Sequence, residues 1–267
     1  MIIGFDKGAT ATKIIGLEND CVVFSSCIIG SSATDAELLS QTLIEQGIEL
    51  SQLTEIAVTG VGAETCRFEN LAVPVRVIPE IEATGEGGAW LSKCDRAIVV
   101  SIGTGTSLVL ARDGVFSHIG GSGVGSGTLR GMAKKLFGID DMKEFFALAE
   151  RGDRMKVDIT IADLFSGTAT LPPDLTASNF AKASDDASQA DWAKAAANMV
   201  LEVAGSHAAL ACGGFGVQSV IITGGVSVTG IAKEVYDGFT RLYKLNYIIP
   251  EHADCATAIG AARRALL

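Results

Sequence analysis

The chain has 267 residues, of which 48% are hydrophobic and 19% charged, enough for two lobes that each bury a core. Its net charge of −10 argues against nucleic acid or an anionic membrane surface as the main partner. Six cysteines (Cys21, Cys27, Cys66, Cys94, Cys212 and Cys255) show no CxxC spacing, which argues against a disulfide framework or a thiolate metal centre and for reduced thiols.

In chain order, Ile2–Phe5, Thr12–Leu17 and Cys21–Cys27 read as three antiparallel strands joined by short turns. A helix is predicted over Ala36–Gln46, where Leu38, Leu39, Leu43 and Ile44 recur at helical spacing. A strand Glu55–Thr59, a helix Ala63–Phe68, a strand Val75–Ile78 and a helix Glu82–Leu91 follow. The pattern then restarts, with strands Arg96–Ser101, Ser107–Arg112 and Val115–Ile119 and helices Gly125–Leu136 and Met142–Glu150. Beyond Pro172-Pro173, helices are expected over Ala177–Ala183 and Trp192–Cys212. A strand Ser219–Thr223, a helix Ile231–Leu242, a strand at Tyr247-Ile248 and a helix Ala256–Leu267 close the chain.

A strand-strand-strand-helix-strand unit used twice predicts an α/β protein of the two-lobed actin-like ATPase (ribonuclease H-like) fold, with mixed sheets flanked by helices. The expected division is an N-terminal lobe over residues 1–101 and a C-terminal lobe over 102–267. The chain starts on a strand without a signal-peptide pattern, and its longest apolar stretch, Met199–Ala211, carries Glu202 and His207. The expectation is a soluble cytoplasmic protein with no membrane partner.

Two glycine loops after apolar strands point to a nucleotide. Asp6-Lys7-Gly8-Ala9-Thr10, followed by Lys13, ends the first strand, and Gly103-Thr104-Gly105-Thr106-Ser107 follows the strand at Ala97–Val100. Such loops set backbone N–H groups against phosphate oxygens without a Cβ in the way. Either loop alone is compatible with an ordinary turn; the pair suggests ATP held between two half-structures. A site for an anion in so acidic a chain needs local positive charge, from loop amides, Lys13 and Mg²⁺.

Phosphoryl transfer asks for metal, positioned charge and a base. Asp6 is the candidate metal group, and Lys13 the candidate for the β/γ-phosphates, a solvated strand lysine being its alternative. Gly120–Thr128, with glycine at 120, 121, 123, 125 and 127, runs into a helix and reads as an anion-binding loop or a hinge. Gly224-Gly225 after a strand has the form of an adenosine-side loop. Glu80, between a strand and a helix, is the candidate general base, against the plainer role of first-turn helix charge. His118 stands before the glycine-rich segment at the mouth of the expected cleft; with His207 and His252 it forms no metal-ligand spacing.

These motifs together resemble the type II pantothenate kinases, over essentially the whole chain. Asp6–Lys13 is similar to the family's DxGGT…K segment, with Ala9 for the second glycine. Glu80-Ile81-Glu82-Ala83 resembles the segment bearing the catalytic glutamate, and Ile102–Leu108 and Gly120–Gly131 resemble the phosphate and ATP loops. Asp174–Phe180 is similar to the DLTAxNF stretch of bacterial members. The resemblance implies ATP-dependent phosphorylation of the primary hydroxyl of pantothenate, the first step of coenzyme A synthesis, with Glu80 as base. It implies that Asp6, Lys7, Gly8, Ala9, Thr10, Lys13, Thr104, Gly105, Gly125, Ser126, Gly127, Thr128, Leu129, Gly224 and Gly225 bind ATP, with Mg²⁺ on Asp6. Ser107 and His118 would meet the substrate, and a homodimer would use the long helix Trp192–Cys212. Where the family has an arginine, this chain has His118, so an acceptor without the carboxylate, such as pantetheine, is an alternative substrate. A non-catalytic nucleotide-binding regulator is the alternative from another class.

Overall fold

The computed structural model describes residues 1–68, 71–165 and 171–267. Two five-stranded sheets repeat one topology. In the first, β1 (Ile2–Lys7), β2 (Ala11–Glu18), β3 (Cys21–Ile29), β4 (Glu55–Thr59) and β5 (Val75–Val77) lie in the order β3-β2-β1-β4-β5. Here β1–β2–β3 is antiparallel, while β4 and β5 run parallel to β1. Helix α1 (Asp35–Glu45) lies between β3 and β4 in the chain, started by a capping box in which the Glu37 N–H donates to the Thr34 hydroxyl and the Thr34 N–H to the Glu37 carboxylate.

The second sheet is built from β6 (Arg96–Ile102), β7 (Thr106–Arg112), β8 (Val115–Ser122), β11 (Ser219–Thr223) and β12 (Asn246–Ile248). Its order, β12-β11-β6-β7-β8, repeats the first, with β11 parallel to β6 and β7 antiparallel to it. The central strands β1 and β6 are covered on both faces, as their apolar runs require. Between β8 and β11 come α3 (Ser126–Met132), α4 (Met142–Ala149), the small ladder of β9 (Ile159–Thr160) and β10 (Thr176–Ser178) with α5 (Ile161–Leu164), and α6 (Gln189–Phe215). Helix α7 (Gly230–Tyr243) joins β11 to β12.

Two helices are exchanged between the sheets. Helix α2 (Glu80–Ser92), which follows β5, packs on β6, β7 and β8; the terminal α8 (Ala256–Leu266), which follows β12, packs on β1, β2 and β4. They touch through glycine: a Cβ at Gly87 would stand 1.8 Å from the Ala256 carbonyl oxygen, and one at Gly260 1.8 Å from that of Ala83. Ion pairs Glu82–Arg264 at 2.6 Å and Glu86–Arg263 at 3.3 Å border this contact. The two sheets therefore meet across a tight helix pair.

Four expectations are corrected. The segment Ala63–Phe68 is a single 3₁₀ turn, Ala63–Thr65, because the Arg67 N–H donates to the Asp35 carboxylate and Phe68 turns in to meet Phe5 edge-on at 5.1 Å. The helix expected over Ala177–Ala183 is instead β10 and a turn. Arg154 donates to the Thr176 hydroxyl and the Asp174 carbonyl, and Thr176 and Asn179 donate to Glu202 on α6. That network holds the chain extended until Phe180 takes φ 63°. Strand β8 runs on to Ser122, so Gly120 and Gly121 are strand residues paired with Leu108 and Ser107. The helix from Gly125 to Leu136 is divided, as α3 gives way to a wide turn at Ala133–Phe137 that Gly138 ends in the left-handed region.

Candidate active site

The end of β1 places Asp6 on the face of the first sheet that α8 covers. In register beside it stand Lys13 of β2, Cys27 of β3 and Thr59 of β4. Asp6 is 9% exposed, and burial pushes its carboxyl up to about 6, Lys13 opposing the shift and Glu80 adding to it. An acid, a base candidate and a lysine thus share one electrostatic environment. A hard carboxylate oxygen of this kind suits Mg²⁺, which takes one or two protein carboxylates and fills its other positions with phosphate and water.

Alternation of the strand sends the next residue the other way. Lys7, expected at the nucleotide, holds Asp35 at 2.7 and 3.0 Å on the α1 side of the sheet. In the turn, the Gly8 N–H donates to the Ala11 carbonyl, and a Cβ on Gly8 would stand 2.9 Å from that oxygen. Ala9 is exposed.

The second hairpin loop meets the first: the hydroxyl oxygens of Thr10 and Thr104 are 3.1 Å apart. Its backbone also receives the start of α3. Ser126 N–H donates to Gly103 O at 2.7 Å and Gly127 N–H to Thr104 O at 3.0 Å, while Gly125 N–H donates to the Thr128 hydroxyl. A Cβ at Gly125 would lie 2.7 Å from Gly103 O and Gly105 O, so only glycine allows this approach. The glycine-rich turn was expected to offer these amides to an anion; here they join two loops of the protein. Leu129, expected beside ATP, is wholly buried in the second core, and its amide donates to Gly125 O. Gly224, at φ 97°, abuts Ile102 so closely that a Cβ would be 2.3 Å from its carbonyl oxygen, and Gly225 next to it is exposed.

Glu80 is the first residue of α2, directly after Pro79, exposed, and near enough to Asp6 for its charge to raise that carboxyl. Ser107 and His118 lie on the face of the second sheet that α2 covers: Ser107 pairs with Ser101, and His118 pairs with Val109 on the outer strand β8. The Ser107 hydroxyl is buried without a partner among the described residues. His118 is exposed and bonded to no side chain among the interactions described. The structure thus brings Asp6 beside Lys13 and within electrostatic reach of Glu80, sets Thr10 against Thr104, and turns Lys7 and Leu129 elsewhere. A cavity of about 870 Å³ lies elsewhere, at the C-terminal end of α2 between Asp20, Trp90, Phe116 and His252, and contains none of the predicted site residues.

Sequence reading missed Asp35 and Thr59. Asp35 sits in a helix first turn, where an acidic residue is unremarked. Thr59 carried a visible cue, a threonine before glycine at the end of a strand, whose meaning depends on the strand beside it.

The Fumble family model matches residues 96–232, about half of the chain. The chain belongs to the Fumble family. Among curated relatives, a type II pantothenate kinase of Bacillus anthracis is 30% identical over 189 residues, 68% of this chain and 66% of that protein. A type II pantothenate kinase of Staphylococcus aureus is 27% identical over 272 positions, covering 98% of both chains. The activator of the 2-hydroxyisocaproyl-CoA dehydratase from Clostridium difficile, solved with bound ADPNP, superposes with a TM-score of 0.70 at 20% identity over 99% of this chain and 93% of that one. At that identity the likeness shows the fold, the expected actin-like ATPase fold. Membership in the Fumble family makes the chain a phosphotransferase of the pantothenate kinase class, as its motifs led one to expect. In this Fumble member all six cysteines are free: Cys212 and Cys255 are buried, Cys21 and Cys27 exposed.

Proposed function

We propose that this chain transfers the γ-phosphoryl group of ATP to the primary hydroxyl of pantothenate, the first committed chemistry of coenzyme A synthesis, with Glu80 as general base. The observation that carries the proposal is the convergence of Asp6, Lys13 and Glu80 on the cleft where the Thr10 and Thr104 loops meet. Glu80 accepts the hydroxyl proton as the substrate oxygen bonds to phosphorus; the bond to the ADP oxygen breaks, and ADP leaves. Lys13 balances charge at the β/γ-phosphates. Asp6 is the residue for Mg²⁺, which when bound neutralises charge on the phosphates. Thr104, Gly105 and the segment Gly125–Thr128 border the nucleotide, with Gly224-Gly225 on the adenosine side. Ser107 supplies an unpaired hydroxyl for the substrate.

His118 favours a second reading. An arginine grips a carboxylate with two parallel bonds and is always charged; a histidine does neither reliably near neutral pH. An acceptor lacking the carboxylate, such as pantetheine, is then the better substrate, and a regulator that only binds nucleotide is the remaining outcome. Measuring ADP release from Mg-ATP across concentration series of pantothenate and pantetheine separates the three. Turnover of pantothenate supports the main reading, preference for pantetheine the second, and binding of ATP without any phosphorylated product the third.

We assign the enzyme to the cytoplasm as a homodimer. Helix α6 is apolar and long enough for a bilayer, but 56% of its most apolar window is buried in the protein, as in a core helix. Its outer side leaves Leu210 76% exposed, with Phe215 also exposed and Tyr243 of α7 exposed beside Ser206 of α6, a surface suited to the same helix of a second copy.

A further inference from the structure

The two halves of the fold carry the same dipeptide at the same place. Thr59-Gly60 ends β4 beside Asp6 of β1, and Thr223-Gly224 ends β11 beside Ser101 of β6. Both glycines take positive φ, 92° and 97°. Both threonines are buried, Thr59 at 0% and Thr223 at 1% exposure. Their hydroxyls differ. Thr223 donates to the carbonyl of Val100 at 3.1 Å, which shows how this strand pairing satisfies such a hydroxyl from within the fold. The Thr59 hydroxyl has no partner among the described residues, although the same kind of carbonyl, that of Phe5, stands in the equivalent place of the register.

A buried donor left open is costly to the fold, and valine would fill the same strand position without it. The side chain shares the α8 face with Asp6, and the chain just beyond it presses on that carboxylate: a Cβ at Gly60 would stand 2.5 Å from Asp6 Oδ1. We propose that Thr59 is a positioning residue for Asp6, its hydroxyl reserved as a donor that holds the carboxylate in the orientation that receives the metal of the metal–nucleotide complex. The proposal rests on the reading of Asp6 as the metal group. Thr223 is its counterpart in the other half, where no carboxylate stands opposite and the hydroxyl serves the sheet.

The test is the affinity of the full-length protein for ADP with and without Mn²⁺, by calorimetry, together with the Tm of the ligand-free protein. Thr59→Val is expected to lose about five- to tenfold of the Mn²⁺-dependent gain in ADP affinity, with ADP alone unchanged and Tm equal or higher. Thr59→Ser keeps the hydroxyl and is expected to restore the gain. Thr223→Val is expected to do the reverse, lowering Tm and leaving the Mn²⁺ gain intact. Asp6→Asn checks the underlying reading: if it keeps the Mn²⁺ gain, Asp6 does not hold the metal and both assignments fall. If Asp6→Asn abolishes the gain while Thr59→Val retains it, or Thr59→Val lowers Tm as Thr223→Val does, the role of Thr59 alone is overturned.

Discussion

The Thr10 and Thr104 side-chain oxygens stand 3.1 Å apart, so the two hairpin loops of the duplicated fold close on one another through a single pair of hydroxyls. Each loop is short and tied to its own sheet, so the contact links the two halves at a point apart from the α2–α8 helix pair. Thr104→Val removes the bond while keeping the shape. The KM for ATP is expected to rise about three- to tenfold with a smaller change in kcat, the size of one hydrogen bond. Steady-state kinetics at saturating acceptor measure it, and an unchanged KM would remove the contact from the nucleotide site.

Glu80→Gln keeps the size of the side chain and its place at the start of α2 but cannot accept a proton. Turnover is expected to fall by about 10²–10⁴, the usual contribution of a general base, while ATP affinity stays within about threefold of the parent. Single-turnover product formation and nucleotide binding, measured side by side, decide it. A full rate in the variant would leave Glu80 as first-turn helix charge only.

His118→Arg puts a permanent cation on the exposed strand β8, on the α2-covered face that also carries Ser107. The expected result is a KM for pantothenate lowered by about tenfold, with little change for pantetheine, because only the former carries a carboxylate to pair with the guanidinium. Equal effects on both acceptors would show that position 118 does not meet that end of the substrate.

Asp6 gives a pH dependence whose sign follows from burial. Its folded-state carboxyl lies near 6, above its ordinary 3.8, so the folded protein holds this proton more tightly than the unfolded chain does. The associated stability is fully present below pH 3.8 and is lost as pH rises through about 6. Asp6→Asn carries no such charge. Its gain over the parent is expected to be small near pH 4 and to grow to at most about 3 kcal/mol by pH 7.5. Chemical denaturation of the ligand-free proteins at both pH values measures the difference, and a gain independent of pH would contradict the buried ionisation.

The cleft was legible where chemistry is local. Asp6-Lys7-Gly8 and Gly103-Thr104-Gly105 are short-range patterns, since a strand followed by a glycine turn is decided by neighbours in the chain. The same reasoning misplaced Lys7, because the turn pattern does not say on which face of β1 each side chain emerges until α1 brings Asp35 to one of them. It also misread Ala177–Ala183 as a helix. Local composition allows a helix there, but Glu202 and Arg154, distant in sequence, hold Thr176 and Asn179 in an extended segment.

By itself, then, the amino-acid order determined the strands of the two five-stranded sheets, the duplicated unit, both hairpin loops and the kinase class, since each rests on periodicity or on residues that act beside their neighbours. Tertiary structure alone decided the exchange of α2 and α8 between the sheets, because it rests on glycines at 87 and 260 whose meaning appears only when the opposing carbonyls of Ala256 and Ala83 arrive. It alone decided that the α3 amides are taken by the Gly103-Thr104 carbonyls. And it alone distinguished two identical Thr-Gly pairs, because a buried hydroxyl is satisfied or left open according to the strand that happens to lie beside it.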